Sequence, residues 1–235
     1  MKRKLAIAFV IIVVAAVTAL GIAWVREHYA SASDSAEPDR SLYPVRGIDV
    51  SAHNGAIDFA KVKADGFDFV IAKATEGTNF KDRYFVDNAR EAAANGLKTG
   101  AYHFFRFDTD GRMQAINILH SLRNRHLDFP IIIDVEEWGN PEGNATAQIV
   151  KWLRDLIDHL EFYGRQVMLY TNKDGYDRFI SGNFDNYPLW ICTFGQPDEN
   201  LEWAMWQYSH RGKVDGIDGK VDLNTINTPD SRLKQ

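Results

Sequence analysis

The sequence predicts an α/β protein whose strands close into a barrel, preceded by one apolar membrane-spanning or signal helix. Three observations carry this. Eight short apolar runs recur along the chain, amphipathic stretches separate the first six of them, and Leu5 to Val25 contains no charged residue. Runs this short, rich in β-branched and aromatic residues, favour strands. Strand–helix alternation implies a mainly parallel sheet, and eight strands suffice to close one.

The apolar segment Leu5 to Val25 is 21 residues long, and about 20 span a bilayer as a helix. The preceding Lys2, Arg3 and Lys4 belong on the cytoplasmic side, which exports everything after Val25. "ASA" at Ala30 to Ala32 resembles a signal-peptidase site, but signal cores run only about 7–15 residues. The length therefore favours a retained anchor, with secretion as the alternative if the segment is cleaved. Residues 1–30 form this basic and apolar start. Residues 31–41, "SASDSAEPDRS", are small, polar and proline-containing and read as a flexible linker. Residues 42–235 form the functional domain, long enough for its own core.

Without residues 1–32, which hold four positive charges and one negative, the net charge is −8. An acidic exported domain argues against nucleic acid as partner, since phosphate binding needs clustered Lys and Arg. Cys192 is the only cysteine, so no internal disulfide forms. It sits in the apolar run "PLWICTF" and reads as a buried structural thiol.

The strands expected are "RGIDVS" from Arg46, "FVIAKAT" from Phe69, "KTGAYHFF" from Lys98 and "PIIIDVE" from Pro130. "QVMLYT" from Gln166, "PLWICTF" from Pro188, "WAMWQYS" from Trp203 and "KVDLN" from Lys220 follow. Helices are expected at "IDFAKVKADG", closed by Gly66, and "DRYFVDNAREAAANG", stopped at Asn95-Gly96. "DGRMQAINILHSLRNRH" and "TAQIVKWLRDLIDHLEFYG" are the strongest helical patterns. In the second, Ile149, Leu153, Leu156, Ile157 and Leu160 share one face and Gly164 closes it. "KDGYDRFISG" is a weaker fifth. After Ile191 only strands follow.

In such a barrel, functional groups gather at the strand C-termini. "PIIIDVEEWGN" runs from a buried strand straight into acids. Asp134 and Glu136 are two apart, so as strand residues they share a face, with Cα atoms about 6.5–7 Å apart. That spacing proposes a glycosidase and permits either a retaining or an inverting arrangement. Asp49 lies near the end of the first strand and Asp222 in the last, and closing the barrel makes those strands neighbours. Four carboxylates at one mouth would repel and hold at least one proton near neutral pH, the requirement for a general acid. Singly, each aspartate reads equally well as a turn residue or helix cap. Glu137, on the opposite face, reads as a solvated or helix-facing charge.

Aromatic residues are abundant near the same strand ends: Tyr102, Phe104, Phe105, Tyr170, Trp190, Trp206 and Tyr208. Flat rings stack on sugars, although about half of such rings belong to the core on general grounds. Competing chemistries leave weaker traces. G-x-S-x-G, H-E-x-x-H and phosphate-cradling glycine loops are absent from the sequence. The seven histidines show no metal-ligand spacing. Ser51 and His53 are two apart, but a nucleophile–base pair is recognised by geometry.

Taken in order, the segments from "GIDVSAHNGAIDFAKVKADGFDFVIAKATEGTNF" through "GAYHFF", "PIIIDVE", "LYTN", "LWICTF", "MWQYS" and "VDLN" resemble the glycoside hydrolase family 25 lysozymes, the Chalaropsis-type N-acetylmuramidases. The likeness covers about Arg46 to Asn224. It implies a flattened, TIM-like barrel of five βα units completed by three strands. It implies hydrolysis of the β-1,4 bond between N-acetylmuramic acid and N-acetylglucosamine in peptidoglycan, with no metal or organic cofactor. By this resemblance Glu136 is the general acid, and Asp134 stabilises positive charge or orients the substrate's N-acetyl group. Asp49 and Asp222 match the remaining acids of the groove, with the division of roles left open. Lys73, Glu76 and Tyr102 match groove-lining positions. Trp206, Gln207 and Tyr208 match an aromatic wall, together with Tyr170 and Trp190. Phe59 stands where the family commonly has Trp, a swap that keeps a core aromatic. The rival readings are a tethered wall-binding protein without the chemistry and a hydrolase of another polysaccharide.

Overall fold

A computed structural model of the chain describes residues 37–227. The apolar segment Leu5 to Val25 and residues 31–36 of the expected linker lie outside the described residues. Among those described, no helix is long and apolar enough to cross a membrane. The last linker residues form a turn: the Asp39 carboxylate accepts from the Ser41 amide at 2.8 Å and its hydroxyl at 2.7 Å.

Eight strands close a barrel: β1 (Arg46–Val50), β2 (Phe69–Glu76), β4 (Lys98–Phe104), β5 (Ile131–Asp134), β6 (Val167–Asn172), β7 (Leu189–Cys192), β8 (Met205–Gly212) and β9 (Val221–Ile226). Their order is β1-β9-β8-β7-β6-β5-β4-β2, and β1 pairs back onto β2. A ninth strand, β3 (Phe80–Lys81), folds back antiparallel on the end of β2. Two residues are too few to leave a periodic trace, and no strand is expected there from sequence. All neighbouring pairs from β1 through β2 to β8 are parallel. β9 is antiparallel to both β8 and β1. The short β8–β9 link explains this, since it can make a hairpin but not the crossover that parallel strands need.

Four helices punctuate the strands: α1 (Phe59–Ala64), α2 (Phe85–Ala94), α3 (Gly111–Ser121) and α4 (Thr146–Phe162). A fifth, α5 (Lys173–Gly175), continues as a π-turn over Tyr176–Ile180. Asp58 caps α1 and Asp110 caps α3, each accepting from the backbone amide three residues on. The buried face of α4 is Ile149, Leu153, Leu156, Ile157 and Leu160, as its 3.6-residue period predicts. α3 stops at Ser121, five residues short of the expected His126. Leu122 caps it, and Asn124 at φ 60° takes the left-handed conformation that ends helical winding.

Strand alternation divides the apolar residues into two layers. Ile48, Val50, Val70, Ala72, Ile131, Ile133, Val167 and Leu169 face the helices, where Phe59, buried at 3% exposure, packs with them. Phe69, Ile71, Ile132, Met168 and Met205 fill the barrel interior.

α3 and α4 approach so closely at Gly111 that a Cβ there would lie 1.7 Å from the Trp152 carbonyl oxygen. Because the obstacle is backbone, Gly111→Ala is expected to cost about 2–3 kcal/mol, read as a lower urea midpoint. An unchanged midpoint would show that the start of α3 can shift freely.

Candidate active site

The barrel interior changes character along each strand. β5 presents Ile132 and then Asp134; β6 presents Met168 and then Tyr170; β8 presents Met205 and then Gln207. Period-2 alternation brings these to one column, apolar at the strand start and polar at its C-terminal end. β2 ends the same way in Lys73. The polar ends open into a cavity of about 470 Å³, within the ordinary size of a small-ligand site.

All four acids line it, with Lys73, Glu76, Tyr102, Tyr170, Trp190 and Gln207. Asp49 and Asp222 are directly opposite across the β1–β9 pair. Because β9 runs antiparallel, Asp222 reaches the mouth from near the start of its strand. β5 itself ends at Asp134, so Glu136 stands just beyond the strand, whereas its spacing from Asp134 predicts a place on it. The β5 backbone still bonds to β6 one residue further, through Val135 N to Tyr170 O at 2.8 Å. In the strand order β5 is four places from β9 and three from β1. The acids therefore face each other in two pairs across the mouth.

Asp49 belongs to a buried amide network. Its Oδ2 accepts from Gln207 Nε2 at 2.9 Å and Asn224 Nδ2 at 2.8 Å. Tyr170 donates its hydroxyl to Gln207 Oε1 at 2.9 Å, and Trp190 Nε1 donates to Asn224 Oδ1 at 3.1 Å. Each amide is thus held in one orientation, with both of its ends in use. Burial pushes the Asp49 carboxyl up, and these amide donors pull it back. Asp222 is pushed up to about 8 by burial, by the Asp49 charge and by its hydrogen bond to Asp49. The two amide donors favour the ionised form of Asp49, so within this pair the proton is favoured on Asp222.

The other pair is also forced to hold a proton. Burial raises Asp134 well above its usual range, with the neighbouring Glu136 charge adding to it. Burial and the Asp49 charge raise Glu136 to about 7, against a lowering by Lys73. Asp134 is 7% exposed and its Oδ1 has no hydrogen-bond partner among the described residues. Lys73 holds Glu76 at 2.7 Å and lies 5.0 Å from the Phe104 ring centroid. It brings one positive charge to a cavity rich in carboxylates.

Trp206 and Tyr208 do not reach the cavity. They flank inward-facing Gln207 on β8, so alternation turns both to the opposite face. There Trp206 is fully buried with Trp203 and Tyr208, and its Nε1 donates to Thr193 O at 2.8 Å. Glu137, also turned away, pairs with Arg178. The Ser51–His53 contact, Oγ to Nδ1 at 3.1 Å, lies at the cavity edge. Ser51 there also caps a 3₁₀ turn over Ala52–Asn54. Cys192 is partly buried against the interior cluster, and desolvation pushes its thiol up to about 12. Trp138 and Lys220 line the cavity without having stood out in the sequence. Trp138 sits in an irregular link where no period points to a face, and Lys220, expected to open the last strand, lies one residue before β9 begins at Val221.

The sequence model of Glycosyl hydrolases family 25 matches residues 48–217. "Lysozyme M1" of Streptomyces globisporus is 35% identical over 211 residues, covering 80% of this chain and 70% of that protein. The "N,O-diacetylmuramidase" of Chalaropsis sp is 34% identical over 203 residues, covering 76% and 96%. A solved structure, a family 25 glycosyl hydrolase from Bacillus anthracis, superposes with a TM-score of 0.73 at 32% identity. That likeness covers 81% of this chain and 91% of the other.

Glu136 and Asp222 ionise less readily folded than unfolded. Their contribution to stability is whole below the unfolded carboxyl range near pH 4. It is lost as pH rises through about 7 for Glu136 and about 8 for Asp222. Glu136→Gln should therefore raise stability at pH 9 by on the order of 1–3 kcal/mol and change it little at pH 4. Urea midpoints at the two pH values test this. A midpoint at pH 9 no higher than wild type would mean that the folded site hosts the ionised carboxylate without penalty.

Proposed function

We infer that this chain, which belongs to glycosyl hydrolases family 25, cuts the β-1,4 bond between N-acetylmuramic acid and N-acetylglucosamine with Glu136 as the acid. The chain is a glycoside hydrolase of the lysozyme class, and peptidoglycan is its substrate. The observation that supports Glu136 is its place in the cavity with a carboxyl raised to about 7. It keeps a proton near neutral pH and, unlike the more deeply buried Asp134, retains some exposure through which to deliver it.

Glu136 passes its proton to the glycosidic oxygen as the bond to the anomeric carbon breaks, and the leaving sugar departs as an alcohol. The sugar left behind gains oxocarbenium character until a water molecule adds to its anomeric carbon, and the proton that water gives up replaces the one Glu136 delivered. Asp49, kept anionic by two amide donors and the proton of Asp222, supplies negative charge across the mouth. Asp134, whose buried Oδ1 has no hydrogen-bond partner among the described residues, orients the N-acetyl group of the reacting sugar. Lys73, Glu76, Tyr102, Tyr170, Trp190 and Gln207 shape the walls that receive the glycan. A substrate in the cell wall suits a domain displayed outside the cytoplasm, and the Leu5 to Val25 segment supports an anchored display.

Incubating the protein with purified peptidoglycan, and following released fragments by mass spectrometry, tests this reading. New muramic acid reducing ends should appear with wild type. Glu136→Gln should stay folded and lose at least about 10²–10³-fold in turnover. kcat/KM should fall as pH rises past about 7, where Glu136 loses its proton. Co-sedimentation with the wall and no fragment release would make the protein a tethered binder. Fragments released only from another polysaccharide would move the substrate.

A further inference from the structure

Trp138 is the most exposed large residue beside the acids: 80% of it is open to solvent, while it lines the same cavity as Glu136. Burial therefore does not account for its position. The loop that carries it is nonetheless tightly fixed. Asn140 Nδ2 donates to Glu136 O at 2.9 Å and to Phe105 O at 3.0 Å, while its Oδ1 accepts from Phe107 N at 2.8 Å. Arg106 donates to the Gly139 carbonyl at 2.7 Å. Glu137 is pinned by Arg178 on its other side. Gly139 takes φ 78°, a conformation that L side chains rarely adopt, and a Cβ there would press to 3.3 Å from Phe104.

A rigid loop that holds a bare indole beside a cavity has met the ordering cost of binding in advance. An indole face carries partial negative charge, and the axial C–H groups of a pyranose present a partly positive, apolar face of similar size. On the reading of this cavity as a glycan-cutting site, we propose that Trp138 is a stacking platform for an N-acetylhexosamine ring of the bound glycan. It sits on the β5 side of the mouth, two residues beyond Glu136. The platform thus places one sugar next to the bond that Glu136 protonates. Trp138 is a positioning residue and touches no reacting atom.

The test compares Trp138→Ala, Trp138→Leu and Trp138→Tyr in the full chain. On soluble peptidoglycan strands, Ala and Leu should raise KM roughly five- to tenfold, with kcat within about twofold and an unchanged pH profile. Tyr, which keeps a ring face, should restore most of the affinity. A Leu variant with wild-type KM, or a Tyr variant as weak as Ala, would overturn the stacking role. A second readout separates this from the muramidase reading. In a Glu136→Gln background, intrinsic fluorescence on adding a β-1,4-linked N-acetylglucosamine hexamer should shift with Trp138 present and shift less with Ala. If wild type releases no peptidoglycan fragments but that signal still depends on Trp138, the substrate reading falls and the sugar platform stands. If fragments are released and neither KM nor the signal depends on Trp138, the platform falls alone.

Discussion

Everything at the site depends on β1 being paired on both edges, to β2 in parallel and to β9 antiparallel. That double pairing closes the barrel and removes its sheet edges. It also puts Asp49 and Asp222, 173 positions apart in sequence, directly opposite each other on neighbouring strands. Two carboxyls cannot share a buried cross-strand position while both ionised. A proton on Asp222 relieves the conflict, and the amides of Gln207 and Asn224, both donating to Asp49 Oδ2, favour the ionised form of Asp49.

The closed barrel thereby becomes an electrostatic device. Its lower interior is packed with Phe69, Ile71, Ile132, Met168 and Met205, which keeps water from the floor of the cavity. Above that floor the carboxyls sit in a poorly solvated place and their pKa values rise. The same burial that lowers stability at alkaline pH supplies a proton donor near neutrality, a common exchange of stability for function. Lys73 limits the effect, since its positive charge opposes the rise at both Asp134 and Glu136.

Much of this was legible from sequence because it is local and periodic. The apolar face of α4 and the strand at Pro130 follow from spacing alone. Aspartates near strand ends could be picked out because a barrel gathers strand C-termini at one mouth. Where the chain is irregular the signal fails. The two-residue β3 and the Trp138 loop have no period to read. Trp206 and Tyr208 show a different failure. Their residue types suit a sugar wall, yet inward-facing Gln207 between them turns both rings outward.

The sequence by itself determined the order of the eight barrel strands and the helices between them, the buried face of α4, and the carboxylates and aromatics available for glycan chemistry. Those follow from hydrophobic period and residue chemistry, which act over a few positions. Tertiary structure alone decided that β9 runs antiparallel, that Glu136 stands beyond its strand, and that Trp138 rather than Trp206 reaches the cavity. It also decided which acid keeps a proton. A pKa depends on burial and on charges brought near by closure, and closure is a property of the whole sheet, not of any single strand.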